Sequence, residues 1–560
     1  GFSNDTIWPL FHYFPTRTVY DPSTFEAYKA ANRLFLNKVV EIARPGDFIW
    51  VHDYQLFLLP DMIRESLPTA DIGFFLHIPF PSFEIFRLMP RRWREAILQG
   101  ITGSDVIGFH TNDYTQHFLK SVKRTLGYAI DHNVISCRGR ICKADSFPIG
   151  IDYQKFNRAC TEPKVRSRTK RILKLLDNKK LVLSLGRLDY SKGFLYKLAA
   201  IERFLEKYPE WQFKVVFNIV VVPSRETIEG YRDIKREIEA VAGRINGKYS
   251  TLNWNPVIYQ YKSLSFNDLI AIYNISDAAL IIPLRDGMNL IAKEYVACQN
   301  GHNGMLIISE MAGAASELNE AIIVNPADSE ETADAIDLAL RMPEDEKQRK
   351  LARMQERLSR YDVFTWTYDF LGQAEDIKKE QGKMKVKYLD NNISDCIKSN
   401  YQSANQRLLL LDYDGTLPPI TGLPRDALLQ PEIKSVLVRI SENKDNTLVI
   451  ISGRTRDFIE EQFRDIRSIL VAEHGFFIKY PGEEWKMNLT VDMSWKDQVL
   501  PILNRYVDRC VGSMIENKYA SLAWHYRNAD EEIAFIRLNE LKEDMRDVLA
   551  REPRLHLLEG

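Results

Sequence analysis

The stretch Leu181-Val-Leu-Ser-Leu185, followed directly by Gly186-Arg187-Leu-Asp-Tyr-Ser-Lys192-Gly193, decides the fold. A short, almost continuous apolar run that ends in a glycine-flanked turn is typical of a strand buried on both faces of a parallel sheet. Longer stretches of helical character separate this run from others like it. This alternation predicts α/β domains of the doubly wound type. The other runs before residue 310 are 48–52, 72–77, 106–110, 213–217, 257–261, 279–282 and 305–308.

The number and spacing of these runs predict several domains. Eight strands are many for a single sheet, so we expect two Rossmann-like domains, 1–150 and 151–360. Residues 361–380 carry aromatic and aliphatic side chains that a helix could dock elsewhere, and the polar residues 381–405 are interpreted as a linker. The apolar signal begins again at Leu408-Leu-Leu-Leu411 and continues at 449–451 and 469–471. A third α/β domain therefore begins near residue 406.

Composition excludes several classes of protein. The 560 residues are 45% hydrophobic and 27% charged, as in globular proteins, and 75 Lys plus Arg balance 76 Asp plus Glu. Because the charges balance, the composition gives no sign of a nucleic-acid partner. No apolar run is long enough for a membrane span. The six cysteines are scattered without a CxxC pair, which argues against zinc and disulfides and favours a reducing, cytoplasmic location. The chain starts at Gly1 rather than Met, so we expect it to begin inside a longer protein.

Charged residues and glycines follow the predicted strands at their carboxyl ends, where open α/β sheets bind ligands. Arg187 and Lys192 bracket one turn, and two cations beside a tight turn suit a diphosphate. Gly287-Met288-Asn289-Leu290 opens a helix whose free N–H groups favour the same anion. Glu294, about one turn further, can accept hydrogen bonds from ribose hydroxyls. Each residue alone also has a structural explanation, as a surface ion pair or a half-buried strand-end residue. Their conjunction favours a functional site.

Five motifs resemble the signatures of trehalose-6-phosphate synthases, and the resemblance extends from Gly1 to about residue 380. It implies a retaining glucosyltransferase of the GT-B type, built from an acceptor domain and a nucleotide-sugar domain, with the 361–380 helix crossing back onto the first. The motifs are Trp8-Pro-Leu-Phe-His12, Trp50-Val-His-Asp-Tyr54, Gly73-Phe-Phe-Leu-His-Ile-Pro-Phe-Pro81, Gly186-Arg-Leu-Asp-Tyr-Ser-Lys-Gly193 and Arg285-Asp-Gly-Met-Asn-Leu-Ile-Ala-Lys-Glu-Tyr-Val296.

The resemblance also implies roles for individual residues. Arg187 and Lys192 would hold the donor diphosphate, and Glu294 the donor ribose. The donor glucose and diphosphate would be bound by His77, Asp286, Gly287, Met288, Asn289 and Leu290. The acceptor, glucose 6-phosphate, would be bound by Trp8, Asp53 and Arg225, with Arg225 on its phosphate. The family's N-terminal strand, glycine-rich donor loop and acceptor-phosphate arginine do not precede Trp8 here, so we expect the 560 residues alone to bind the donor poorly.

The third domain opens with a pair of carboxylates. Leu408-Leu-Leu-Leu-Asp412-Tyr-Asp414-Gly-Thr416 predicts a strand whose end presents Asp412 and Asp414 on one side. Such a pair suits Mg²⁺ and nucleophilic attack, with one carboxylate forming an aspartyl-phosphate and the other moving a proton. Ser452-Gly453-Arg454 ends the next strand, and its hydroxyl and N–H groups can bind a phosphoryl oxygen. The sequence predicts an Mg²⁺-dependent phosphatase site at Asp412 and Asp414, with phosphate bound by Ser452, Gly453 and Arg454.

These residues resemble the first two motifs of haloacid dehalogenase-type phosphatases. Ala472-Glu-His-Gly475 and Ala523-Trp-His-Tyr-Arg-Asn-Ala-Asp530 resemble the trehalose-6-phosphate phosphatase branch of that group. The resemblance implies a phosphatase core over 406–477 and a sugar-gripping cap over 478–560. It also implies a later lysine and a second acidic motif, which do not occur before Gly560, so we expect a severely impaired phosphatase in these 560 residues.

Together the two resemblances imply that glucose passes from UDP-, ADP- or GDP-glucose to glucose 6-phosphate. The product, trehalose 6-phosphate, would be the substrate of the fused phosphatase domain. No cofactor is expected for the transfer, because two cations already meet the diphosphate. The sequence is compatible with a homo-oligomer. Two alternatives remain: a glucosyltransferase with another phosphorylated acceptor, and a silent sugar-phosphate sensor or scaffold. The presence of Arg187, Lys192 and Asp286 argues against the sensor.

Overall fold

A computed structural model of the chain describes residues 1–224, 229–301, 304–383, 391–419, 426–488, 492–552 and 555–558. It divides into two compact units, Gly1–Val386 and Lys387–Gly560. Within the described residues, no helix has the length and apolar character needed to span a bilayer.

The first sheet of unit 1 has six strands in the order β1-β2-β3-β6-β5-β4. β1, β2, β3 and β6 run parallel, and β5 and β4 complete the sheet as antiparallel strands. The strands are β1 Phe48–His52, β2 Asp71–Phe75, β3 Val106–Phe109, β4 Ala129–Asp131, β5 Val134–Cys137 and β6 Arg140–Ser146. The helices are α1 Trp8–Phe11, α2 Pro22–Ile42, α3 Leu59–Ser66, α4 Phe83–Phe86, α5 Arg91–Ile101 and α6 Asn112–Leu126.

The second sheet of unit 1 has six parallel strands in the order β12-β11-β10-β7-β8-β9. The strands are β7 Lys180–Arg187, β8 Val215–Val222, β9 Val257–Tyr261, β10 Ala278–Ile281, β11 Met305–Ser309 and β12 Ile322–Val324. The helices are α7 Tyr153–Ala159, α8 Pro163–Leu176, α9 Phe194–Lys207, α10 Glu229–Tyr249, α11 Phe266–Ile275, α12 Leu290–Ala297, α13 Ser329–Arg341, α14 Glu344–Arg360 and α15 Val363–Lys383. The apolar run 181–185 lies in β7, a central strand whose apolar side chains are buried.

Helix α15 lies on the first sheet although it follows the second in the chain. Its buried residues Trp366, Phe370, Ala374 and Ile377 are three or four positions apart and so share one helical face. The Phe370 ring stacks on Trp50, with ring centroids 4.5 Å apart. A Cβ atom at Gly73 would lie 2.7 Å from this ring, so the close approach of helix and sheet requires glycine there. Apolar packing on β1–β3 therefore holds α15 in place.

Unit 2 contains a five-stranded sheet in the order β13-β14-β15-β16-β17 and a separate two-stranded sheet of β18 and β19. β13, β14 and β15 are parallel, whereas β16 and β17 are antiparallel additions. The strands are β13 Arg407–Asp412, β14 Asn446–Ile451, β15 Ile469–Ala472, β16 Phe477–Lys479, β17 Lys486–Met487, β18 Met514–Asn517 and β19 Leu522–His525. The helices are α16 Asn391–Ser403, α17 Pro431–Glu442, α18 Arg456–Phe463, α19 Trp495–Arg509 and α20 Glu531–Arg551.

Two of the predicted boundaries fall near the start and the middle of unit 2. The division between the two units lies inside the segment 381–405 that we interpret as a linker, and the described residues of that segment are mostly helical, in the end of α15 and in α16. Polar composition fits an exposed helix as well as a linker, and the Tyr401 ring of α16 lies 4.3 Å from the Arg407 guanidinium. The division predicted at 477/478 falls inside β16. Two antiparallel strands therefore extend the core sheet to Met487, and the α19–α20 layer with β18 and β19 comes after it.

Candidate active sites

The turn after β7 and the start of α12 meet at an ion pair. Lys192 Nζ lies 2.6 Å from Asp286 Oδ2, and Asn289 Nδ2 donates to the same oxygen at 2.8 Å. Burial alone would raise the pKa of Asp286, but the adjacent Lys192 ammonium holds it below its ordinary value. Arg187 ends β7 and is exposed, so its guanidinium is available to a ligand in this region. One fixed anion and two cations therefore lie at neighbouring strand ends.

Asn289 and Gly287 shape the beginning of α12. Asn289 has a φ of 72° and caps the helix through Oδ1, which accepts from the Ala292 N–H at 3.2 Å. A Cβ atom on Gly287 would lie 2.2 Å from the His77 carbonyl oxygen, so only glycine allows this approach. Met288 is buried, while Leu290 is more than one third exposed. The first turn of α12 thus borders the first sheet across a narrow gap, where its N–H groups can meet an anion.

Asp53 and His77 lie on the first-sheet side of this gap. Asp53 has a φ of 71°, and its Oδ1 accepts from the His77 N–H at 3.4 Å. Burial raises the pKa of Asp53 to about 6, opposed by hydrogen bonds from two backbone N–H groups and by the Arg187 charge. The Arg187 charge therefore acts on Asp53, so the ends of β7 and β1 lie within electrostatic range of each other.

Trp8 belongs to the same region through its neighbour His12. The two rings lie 4.1 Å apart, and His12 Nδ1 donates to the Trp8 carbonyl at 2.8 Å. Burial lowers the pKa of His12 to about 4, although nearby Asp189 opposes this shift. Lys192 and Asp286 also act on His12 electrostatically, which brings α1 to the edge of the ion-pair region.

Glu294 lies one turn inside α12 and is half-buried, whereas Val296 and Ala297 are buried. The Tyr273 hydroxyl donates to Glu294 Oε2 at 3.0 Å. Burial raises the pKa of Glu294, and that hydrogen bond partly offsets the shift. The remaining carboxylate oxygen, Oε1, is the one that can accept from a ligand. Arg225, the predicted acceptor-phosphate residue, lies outside the described residues.

Sequence reasoning missed several residues at this site. His52 Nδ1 lies 3.0 Å from His77 Nε2, and the Tyr114 hydroxyl donates to the Asp286 carbonyl at 3.2 Å. Lys197 is buried on α9, and burial together with the Lys192 charge lowers its pKa to about 7. His52 ends a predicted strand beside Asp53, in Trp50-Val-His-Asp-Tyr54, and the sequence marked its position without giving it a role. Tyr114 and Lys197 lie inside helices without any comparable signal.

In unit 2, the predicted phosphatase residues gather at the ends of β13 and β14. Asp412 and Asp414 are both exposed and flank the buried Tyr413, so the carboxylates share one side of the chain. Thr416 Oγ1 donates to Asp412 Oδ2 at 3.3 Å. Arg454 binds both carboxylate oxygens of Asp414, with Nε 2.9 Å from Oδ2. Here Arg454 contacts a carboxylate rather than standing free for phosphate.

Ser452 and Gly453 form the turn that carries Arg454. Ser452 is buried, and its Oγ accepts from the Arg454 N–H at 3.1 Å. A Cβ atom on Gly453 would lie 2.4 Å from the His474 ring, so the turn packs tightly against the segment that follows β15. Within the described ranges, no group of three or more His, Cys, Asp or Glu side chains could hold a metal ion. Two carboxylates are nevertheless hard oxygen donors of the kind that Mg²⁺ takes when water or phosphate completes its shell.

Comparison with known proteins assigns both units. Residues 1–376 match glycosyltransferase family 20, and residues 410–560 match the trehalose-phosphatase family. A bifunctional trehalose-6-phosphate synthase/phosphatase of Thermoproteus tenax is 44% identical over 552 residues, covering 98% of this chain and 75% of that protein.

Two solved structures resemble the synthase part. An alpha,alpha-trehalose-phosphate synthase (UDP-forming) from Burkholderia xenovorans, in complex with glucose-6-phosphate, is 34% identical with a TM-score of 0.65, covering 67% of this chain and 83% of that one. A structure of an E. coli protein bound with UDP-2-fluoro glucose is 35% identical with a TM-score of 0.64, covering 67% of this chain and 83% of that one. The chain therefore belongs to glycosyltransferase family 20, the trehalose-6-phosphate synthases, and carries a fused trehalose-phosphatase domain.

Proposed function

We propose that this chain transfers glucose from UDP-glucose to glucose 6-phosphate and forms α,α-trehalose 6-phosphate. The observation that carries the proposal is the meeting of the Lys192–Asp286 pair, the start of α12 and Asp53 at one gap. Relatives with 34–35% identity contain UDP-2-fluoro glucose in one case and glucose-6-phosphate in another. These ligands favour UDP-glucose over the ADP and GDP forms, and glucose 6-phosphate over other phosphorylated acceptors.

For the donor, we assign the diphosphate to Arg187, Lys192 and the backbone N–H groups at the start of α12. Fixed cations and helix N-terminal amides stabilise negative charge without rearrangement during the reaction. Glu294 accepts from the ribose, and the glucose is bound by His77, Asp286 and the backbone of Gly287, Met288, Asn289 and Leu290.

For the acceptor, we assign the sugar to Trp8 and Asp53 and the phosphate to Arg225. A carboxylate and an indole beside one gap suit the hydroxyls and the apolar face of a hexose. The Arg225 assignment rests on the family motif, since that residue lies outside the described ranges.

The transfer itself needs no nucleophile from the protein. The acceptor hydroxyl attacks the anomeric carbon on the face from which the diphosphate leaves, and the departing phosphate oxygen takes the acceptor proton. The bond to the diphosphate breaks as the new glycosidic bond forms, so the configuration is retained. Arg187 and Lys192 stabilise the charge that grows on the leaving UDP.

In the fused domain, we assign the nucleophile to Asp412 and the proton transfer to Asp414. Asp412 attacks the phosphorus of trehalose 6-phosphate, the bond to the sugar oxygen breaks, and Asp414 protonates that oxygen as trehalose leaves. Water then hydrolyses the aspartyl-phosphate and releases inorganic phosphate. Ser452, Gly453 and Arg454 bind the phosphoryl oxygens. Mg²⁺, held by Asp412 and Asp414, would neutralise charge on the phosphoryl group when bound.

We assign the acceptor domain to 1–150, the nucleotide-sugar domain to 151–360 and the phosphatase unit to the chain after the α15 helix. The six cysteines are all free thiols, which supports a reducing, cytoplasmic compartment. A silent sensor is the second candidate, but the intact Lys192–Asp286 pair favours an enzyme.

The test is a matrix of purified full-length protein with UDP-, ADP- or GDP-glucose against glucose 6-phosphate or glycerol phosphate. We expect disaccharide phosphate from UDP-glucose and glucose 6-phosphate at the highest rate. A higher rate with another acceptor would replace the assignment by a related glucosyltransferase. Binding of glucose 6-phosphate without turnover for any donor would favour the sensor.

A further inference from the structure

His52 and His77 form a hydrogen-bonded pair at the ends of adjacent parallel strands. His52 is the last residue of β1, and His77 follows β2 by two residues. Their nitrogen atoms Nδ1 and Nε2 lie 3.0 Å apart, and the ring planes differ by only 15°. The proposed function gives a role to His77 but none to His52.

Both imidazoles are neutral near pH 7. Burial lowers the pKa of His52, and burial together with the His52 charge lowers that of His77 to about 4. A neutral imidazole has one N–H and one lone pair, so one ring of the pair donates and the other accepts. The tautomer of His77 is therefore tied to that of His52. His52 therefore determines whether the other ring nitrogen of His77, Nδ1, donates or accepts a hydrogen bond.

The hydrogen bond from His52 is the main polar contact of the His77 ring, because aromatic rings surround the remainder of it. The ring contacts Phe75, His110 and Trp366 through its faces and edges, with centroids 4.8, 5.4 and 6.4 Å away. Over the described ranges, His52 is the one side chain that hydrogen-bonds a ring nitrogen of His77. The other ionisable groups around the pair are Asp53, which accepts from the His77 backbone, the buried His110, and Arg187 beside Asp53. In the described part of the chain, none of these groups hydrogen-bonds a ring nitrogen of His77.

We propose that His52 is a positioning residue that fixes the orientation and tautomer of His77, so that Nδ1 presents one defined partner to a hydroxyl of the donor glucose. The inference rests on the proposed function, which places the donor sugar against His77. It predicts that His52 acts on the sugar and not on the diphosphate, because the cations at the diphosphate belong to the second sheet.

A double-mutant cycle tests this with His52→Phe, His77→Ala and the double variant. Phenylalanine keeps a ring of similar size but has no ring nitrogen. We expect His52→Phe to lower kcat/KM for UDP-glucose about tenfold, the effect of one lost hydrogen bond. The same change in the His77→Ala background should have no further effect, because His52 acts through His77. The affinity for UDP, which has no sugar to orient, should stay within about twofold.

His52→Asn is the conservative control, since its amide can hydrogen-bond His77, and it should recover part of the lost kcat/KM. Nitrogen-15 NMR of the histidine side chains provides a readout independent of turnover. The His77 signals, identified by their loss in His77→Ala, should indicate one neutral tautomer in the unchanged chain and a mixture in His52→Phe.

Three results would overturn the inference: unchanged kcat/KM in His52→Phe, an equal loss in the His77→Ala background, or unchanged His77 signals. Failure of the proposed function would look different, because the unchanged chain would then make no product from UDP-glucose while the NMR comparison still decides the role of His52.

Discussion

Lys192 Nζ and Asp286 Oδ2 lie 2.6 Å apart although 94 positions separate the two residues in the chain. The contact joins the turn after β7 to the loop after β10, and these two strands are neighbours in the second sheet. Asn289, which caps α12, donates to the same carboxylate oxygen. The pair therefore fixes a cation at the start of α12 before any ligand binds.

Arg187→Ala and Lys192→Ala should each lower transferase turnover by about 10²–10³-fold, because each removes a cation that stabilises the leaving diphosphate. The measurement is kcat with UDP-glucose and glucose 6-phosphate. Lys248→Ala is the control, since Lys248 lies on the exposed side of α10 and pairs with Glu206 there. Near-normal turnover in both site variants would remove the diphosphate assignment.

Asp53→Asn should abolish a pH dependence of acceptor binding. The pKa of Asp53 is raised to about 6, so the side chain is a carboxylate above that pH and a neutral acid below it. We expect KM for glucose 6-phosphate to rise as pH falls through about 6, since the protonated form accepts hydrogen bonds less strongly. The glucose 6-phosphate phosphate group also titrates near pH 6, and the KM ratio of variant to unchanged chain cancels that effect. A ratio independent of pH would exclude Asp53 from acceptor binding.

Gly287→Ala should disturb the donor side of the gap. The added Cβ would lie 2.2 Å from the His77 carbonyl, so backbone must move, at a cost of about 1–3 kcal/mol of folding stability. We expect a lower unfolding temperature and reduced transferase activity. Gly243→Ala, in α10 with no atom within 4 Å of the new Cβ, is the matched control and should be neutral or stabilising. If the two variants had the same unfolding temperature and transferase activity, the close approach at Gly287 would not be needed for stability or activity.

In the full-length protein, Asp412→Asn should remove the Mg²⁺-dependent release of phosphate from trehalose 6-phosphate, because the amide keeps the shape of the side chain but cannot attack phosphorus. Transferase turnover should not change. Phosphate release and disaccharide phosphate formation are measured on the same preparation, with Asp457→Asn as an exposed aspartate control. Phosphate release that survives in Asp412→Asn would require another nucleophile.

The sequence predicted the strands of the parallel sheets well. Runs such as 106–110 and 305–308 match β3 and β11 to within one residue, because strands buried on both faces need continuous apolar side chains. The antiparallel strands β4 and β5 and the parallel strand β6 were not predicted. β4 and β5 are short and half-exposed, so their apolar pattern is weak. In β6 the charged residues Arg140, Lys143 and Asp145 interrupt the apolar run.

Most of the predicted site residues that lie in described ranges are at strand ends or in the turns that follow them, as the strand-end rule for α/β sheets anticipates, whereas Trp8 lies on α1 and Glu294 one turn inside α12. Contacts between distant elements could not be predicted in the same way. Tyr114 reaches the Asp286 carbonyl from α6, and Arg454 pairs with Asp414 across β13 and β14. The spacing of residues along the chain predicts neither contact, because each contact depends on how separate elements pack.

The most direct measurement of the central claim is the structure of the product made from UDP-glucose and glucose 6-phosphate, determined by proton NMR at both anomeric centres. We expect α,α-trehalose 6-phosphate, with the α configuration of the donor retained and UDP released in equal amount. A product inverted at the donor carbon, glucose released by hydrolysis alone, or no sugar transfer would contradict it.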